Sequence, residues 1–71
     1  GQFNLEIDLE EKQYLIINLY HSTGQLIDSK KIRTISGFYT RQYDLNNYAK
    51  GIYYLQITTE NKVLTKKIIY H

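Results

Sequence analysis

Cysteine, proline, methionine and tryptophan are all absent from this 71-residue chain. Without cysteine there is no disulfide and no thiolate metal site, and the redox compartment stays open. Histidine occurs only as His21 and His71, too few and too isolated for a nucleophilic triad or a zinc site. No apolar run approaches the ~20 residues that a membrane-spanning helix needs, and no signal-peptide pattern is present, so an amino-terminal export signal would lie upstream. Glycine-rich phosphate loops and calcium loops are missing, and no segment keeps a helical period long enough to form a helix. A domain of this size buries only about 60% of the surface its unfolded chain exposes. Lacking a covalent or metal staple, it depends on dense apolar strands, helped by attachment to a larger protein or by dimerisation. The chain starts at Gly1 without an initiator methionine, which suggests a fragment of a longer protein, with residues 1–71 as one domain.

What the chain does have is alternation. Phe3, Leu5, Ile7 and Leu9 interleave with Asn4, Glu6, Asp8 and Glu10, the pattern of a strand with one buried and one wet face. Glu11, Lys12 and Gln13 read as a polar turn. Residues 14–20 are apolar on both faces except at Asn18, as in a strand covered on two sides. A turn at residues 21–24 leads to a short strand over 25–31, residues 32–37 read as a connection between sheets, and 38–45 as another strand. The clearest strand follows an Asn46-Asn47 turn signal: Gly51 opens it, with Tyr53, Leu55 and Ile57 on one face and Ile52, Tyr54, Gln56 and Thr58 on the other. A two-residue hairpin at Glu60-Asn61 then leads into a last strand, where Leu64, Lys66, Ile68 and Tyr70 share one face and Val63, Thr65, Lys67 and Ile69 the other. Gly24 and Gly51 stand where positive φ is expected. Short strands at this spacing predict an all-β fold, a small immunoglobulin-like antiparallel β-sandwich of about six to seven strands, with a five-stranded barrel as the rival.

The net charge of +2 is unevenly spread. Glu6, Asp8, Glu10 and Glu11 crowd the start, and Lys62, Lys66 and Lys67 hold the end with no acid after Glu60. Solvated edge strands account for much of this asymmetry, which would also steer an acidic partner toward the carboxyl end. The carboxylates share a wet face without a pocket, so no acid–base pair is indicated and no enzymatic activity is expected. Eight tyrosines suit a half-wet sheet, and they are not interleaved with basic residues as a nucleic-acid surface would require. No cofactor, metal or nucleic-acid partner is expected.

Three blocks of residues in order resemble a known family. Leu19-Tyr20-His21-Ser22-Thr23-Gly24-Gln25-Leu26-Ile27 is similar to the Ile-Tyr-Asp-x-x-Gly-Lys-Leu-Val signature of type IX secretion (Por secretion system) carboxyl-terminal sorting domains, type A. Leu45 with Gly51-Ile52-Tyr53-Tyr54-Leu55-Gln56-Ile57 resembles that family's Leu-x-x-Gly-x-Tyr-x-Leu-x-Ile block, and Thr65-Lys66-Lys67-Ile68-Ile69 its closing tail. His21 stands where aspartate is usual, and the family's opening Pro-Asn-Pro is missing.

The resemblance implies a sorting signal that directs a covalently linked upstream cargo through the type IX outer-membrane translocon. It implies passage through the periplasm, then a cell-surface or extracellular location, with a surface sortase removing the domain. The sorting-motif residues it designates are Tyr20, Gly24, Leu45, Gly51, Tyr53, Leu55, Ile57, Lys66, Lys67 and Ile68. Residues 65–70 are expected to be read most directly, and isolated domains to form weak homodimers through edge strands. A non-catalytic adhesive or carbohydrate-binding sandwich appended to a secreted protein is the alternative, and a nucleic-acid-binding barrel ranks third.

Overall fold

The computed structural model describes the backbone of residues 1–71 and every side chain except those of Thr34 and Ile35. Four strands form: β1 (Gln2–His21), β2 (Leu26–Asp44), β3 (Gly51–Thr58) and β4 (Val63–Tyr70). All are antiparallel members of one hydrogen-bonded sheet in the order β2-β1-β3-β4. The all-β class is as expected, but four strands replace the six read from the sequence, and they are not divided into two separately hydrogen-bonded sheets.

The reason lies in the parity of β1. Leu9 and Leu15 are six residues apart, so the period-two pattern passes through Glu11, Lys12 and Gln13 with the same face still turned inward. The polar triplet is therefore no turn, and β1 runs continuously across it. It marks a corner, where the β1–β2 register shifts between Leu9 and Gln13. Opposite Leu9 is Gly37, with φ +85°, a backbone state that glycine reaches without penalty and that suits a bulge. The expected connection over residues 32–37 likewise continues as strand; its Thr34 and Ile35 side chains lie outside the described residues.

At this corner the β1–β2 ribbon folds back on itself. Arg41 donates from its guanidinium to Asp28 Oδ2 at 2.8 Å although the two residues are 13 apart within β2. A straight strand would hold them about 43 Å apart. At the far end, a Cβ added to Gly1 would lie 3.1 Å from the Tyr70 ring. The molecule thus has two layers, as a sandwich does, built from one bent sheet. The core lies between them. Leu5, Leu9, Tyr43 and Leu45 meet Leu15, Ile17, Leu19, Tyr53, Leu55 and Ile57, all buried. Each fully buried aliphatic side chain contributes about 1.5–3 kcal/mol.

One local expectation changes. Residues 14–20 are covered on one side only: Leu15, Ile17 and Leu19 are buried, whereas Tyr14 is exposed and Ile16, Asn18 and Tyr20 are half-buried. The overlying layer reaches a single face of β1, and no element covers the other among the described residues. The last hairpin is the expected two-residue one: Thr59 N–H donates to the Lys62 carbonyl at 2.8 Å, in line with the Thr58–Val63 register, and the pair encloses Glu60 and Asn61. Thr59 Oγ1 accepts the Lys62 N–H at 3.2 Å. Glu60 and Asn61 make this turn without positive φ, so it is not the type I′ turn that commonly joins paired strands.

Beside the Arg41–Asp28 bridge, Tyr43 stacks on Phe3 with ring centroids 5.0 Å apart. Arg41 lies over the Tyr43 ring, 5.2 Å from its centroid. The guanidinium faces the ring and leaves the buried Tyr43 hydroxyl without a hydrogen-bond partner. The Asp28 hydrogen bond, partly opposed by burial, holds the Arg41 pKa above its ordinary value. Burial pushes the Tyr43 phenol up, against the pull of Arg41.

Folding therefore holds the Tyr43 proton more tightly than the unfolded chain does. This contribution is complete below the unfolded value of about 10 and is lost as pH rises through the folded value. Tyr43→Phe keeps the stacking and removes an unpaired hydroxyl. In urea titrations it should match or exceed the parent by up to about 1 kcal/mol at pH 7, with the gap widening above about pH 10. A loss of stability at pH 7, or a gap that stays constant with pH, would show that the hydroxyl is satisfied in solution.

Candidate recognition surface

The turn between β1 and β2 is organised by His21. Its backbone N–H donates to the Gln25 carbonyl at 2.9 Å, and its carbonyl accepts the Gly24 N–H at 2.8 Å. Its ring Nδ1 accepts the Thr23 N–H at 3.2 Å and lies 3.1 Å from Thr23 Oγ1. That i-to-i+2 contact is what an aspartate carboxylate makes in an Asx turn, so His21 does locally what the family's usual aspartate would. Since Nδ1 accepts, the neutral ring carries its proton on Nε2, which is buried without a partner. The ring stands edge-on to Tyr53 with centroids 4.9 Å apart.

Gly51 and Tyr53 complete this corner. Gly24 and Gly51 both have positive φ, +95° and +141°, as expected. At Gly51 an added Cβ would also meet His21 Nε2 at 3.3 Å. Tyr53 is fully buried, and its hydroxyl donates to the Ala49 carbonyl, fastening the loop before β3 to the core. The same loop is held by Asn46 N–H donating to Asp44 Oδ1 at 2.9 Å, by Tyr48 N–H donating to the Leu45 carbonyl, and by Leu45 N–H donating to the Gly1 carbonyl.

The motif residues therefore divide by environment. Leu45, Tyr53, Leu55 and Ile57 are core, Tyr20, Gly51 and Ile68 are half-buried, and Gly24, Lys66 and Lys67 are exposed. The two lysines lie on opposite faces of β4, in register with Leu55 and Tyr54. On the outer face, strand pairing assembles a row that sequence spacing alone did not reveal. Leu26 pairs with Tyr20, Tyr20 with Tyr54, and Tyr54 with Lys67, so one line of side chains crosses all four strands. The neighbouring row pairs Ile52 with Ile69, and Leu26, Tyr54 and Ile69 are exposed. Tyr54, Leu26 and Ile69 are the candidates that sequence reasoning missed. Alternation placed Tyr54 and Ile69 on a face, but only the register joins them to Tyr20 and Lys67.

Chemical machinery is not evident in this arrangement. Among the described residues, no group of three or more histidine or acidic side chains could hold a metal ion. Surface depressions among the described residues include an open groove of about 590 Å³ beside β4 and a smaller hollow of about 190 Å³ beside Arg41 and Tyr43. What the surface offers is shape, aromatic area and charge.

The His21–Gly51 approach gives a direct test. Gly51→Val forces a branched side chain into positive φ and against a ring nitrogen, and should cost on the order of 1–3 kcal/mol. Gly51→Ala should cost less. Thermal melts followed by circular dichroism will separate the two, and equal stability for valine and glycine would mean that the backbone relaxes to ordinary strand dihedrals.

Comparison with known proteins agrees with the motif blocks. No curated protein and no solved structure matches the chain. The family model described as "Secretion system C-terminal sorting domain" matches residues 1–71, the whole of the two-layered domain. The chain belongs to that family, the C-terminal sorting signals of type IX secretion, which mark proteins for export across the outer membrane.

Proposed function

We propose that the domain works as a folded label with no chemistry of its own, read by outer-membrane translocon proteins through the Tyr20–Tyr54–Lys67 face. In this reading the cargo is covalently linked upstream. The cargo and its label fold in the periplasm, the translocon engages the label, and a sortase separates the two at the cell surface. The observation that carries the proposal is the partition of the motif residues. Leu45, Tyr53, Leu55 and Ile57 are buried, so they maintain the label but cannot touch a receptor while it stays folded. Recognition falls to what the same blocks leave outside: Tyr20, Lys66 and Lys67, together with Tyr54, which the register sets between Tyr20 and Lys67. An exposed aromatic row with a cation at its end matches the residue types that dominate binding energy at interfaces.

Truncation within β4 is a poor test, because it removes Ile68 and Tyr70, the register partners of Tyr53 and Gly51, and so mixes unfolding with lost recognition. Point changes at exposed positions avoid this. The intact chain fused to a secreted reporter, in a host carrying the translocon, should reach the cell surface. Tyr54→Ala and Lys67→Ala should each reduce surface delivery by about tenfold, the effect of one lost contact of ~1.4 kcal/mol. Folded reporter would then accumulate in the periplasm. Lys66→Ala, on the other face, should have the smaller effect. Surface delivery equal to the parent for both outer-face variants would refute this face as the reading surface.

A further inference from the structure

The two layers are unequal. β1 is flanked on both sides over residues 16–21, but pairing with β3 stops at Ile16, while β2 runs beside β1 all the way to Gln2. Along residues 2–9 one edge of β1 therefore has no strand beside it. The layer that this edge borders has two strands, and the layer beneath has four, so β4 extends beyond the cover. Leu64 is in register with Ile57 on the core-facing side, yet it is 53% exposed where Ile57 is 5%. Between the open edge and the inner face of β4 runs the groove of about 590 Å³, lined by Leu5, Leu9, Leu64 and Lys66 among others.

We propose that this groove is a vacant strand position that accepts an extended segment of another protein, about seven residues long, alternating cationic and apolar side chains. The argument for the backbone is the open edge, whose N–H and C=O groups are a template for one more antiparallel strand. The argument for the side chains is charge. Glu6, Asp8 and Glu10 point outward from β1, and on the β2 side Glu6 faces Thr40 and Asp8 faces Phe38, so neither has a basic cross-strand partner. A strand added on the open side sets its outward residues beside these acids, where lysine or arginine is favoured and acid disfavoured. Its inward residues lie over Leu5, Leu9 and Leu64 in the groove and are apolar. Lys66 in the same groove has a long enough stem to carry its ammonium past the added strand.

A second copy of the chain fits less well. β1 edges paired with each other oppose Glu6 and Asp8 to their own kind, and β4 edges oppose Lys66 and Lys67 to theirs. A β1 edge on a neighbour's β4 is a head-to-tail contact, which makes a ring where its rotation closes and an open filament where it does not, and sedimentation would reveal either. The inference concerns a different surface from the outer-face row and does not rest on the sorting reading.

The test uses the 71-residue chain and fluorescently labelled seven-residue peptides. A Lys-Val alternating peptide should bind saturably at moderate salt. Its Glu-Val counterpart, and a Lys-Val peptide methylated on alternate backbone nitrogens, should bind at least about tenfold more weakly. The exposed double variant Glu6→Lys/Asp8→Lys, checked for folding by circular dichroism, should weaken Lys-Val binding by a similar factor and improve Glu-Val binding. The proposal is overturned if the methylated peptide binds as well as the parent peptide, since binding is then only electrostatic. It is equally overturned if no peptide binds, if the double variant leaves the preference unchanged, or if sedimentation shows the chain filling its own groove as an oligomer.

Discussion

Leu5, Leu9, Tyr43 and Leu45 press against Leu15, Ile17, Leu19, Tyr53, Leu55 and Ile57 across a ribbon bent back on itself, and the domain is held together chiefly by this packing. A two-stranded ribbon in water is marginal by itself, and even three or four strands need a buried face. With no cysteine to form a disulfide and no metal-holding cluster among the described residues, apolar burial has to outweigh the conformational entropy of ordering 71 residues. The fold-back makes that feasible by letting each long strand contribute to both layers. Arg41 and Asp28 then close the rim on the β2 side, where their charge-assisted bond is partly shielded from water.

This dependence explains the distribution of the motif residues. A strand of the pattern Gly-x-Tyr-x-Leu-x-Ile places three large side chains on one face, and that face here is the centre of the core. Tyr53 is the largest fully buried side chain, and its hydroxyl reaches the Ala49 carbonyl, so it joins the packing of the layers to the shape of the loop before β3. Gly51 permits the approach of His21, and His21 orders the turn into β2. The residues that make the family recognisable are mostly those that make the label fold. The fold thereby separates the residues that maintain the shape from those presented on it.

Charge manages the surfaces that burial does not reach. The acidic face of β1 and the lysines of β4 lie at open edges, where exposed strands otherwise invite uncontrolled pairing. Like charges on like edges disfavour pairing between identical edges. The unequal layering exposes Leu64 on the core-facing side, while Ile69 is exposed on the uncovered outer face, so the domain has two distinct faces around one core.

Much of this was legible before any coordinates. The alternation in β1 and β3, the positive φ at Gly24 and Gly51, the turn at Asn46, the opposite orientation of Lys66 and Lys67, and the motif order all follow from side chains interacting with their own neighbours. Such local interactions are written directly in residue order. Strand count and layer geometry are different. Glu11, Lys12 and Gln13 have the composition of a turn, yet they continue the strand, because inward-facing leucines an even number of residues apart keep the same face buried on both sides of a corner. Whether residues 14–20 are covered on one side or two depends on how far the second layer extends. The Leu26–Tyr20–Tyr54–Lys67 row and the open groove depend on register between strands distant in sequence. Those are non-local pairings, selected by which arrangement buries the most apolar area, and only the folded chain decides among them.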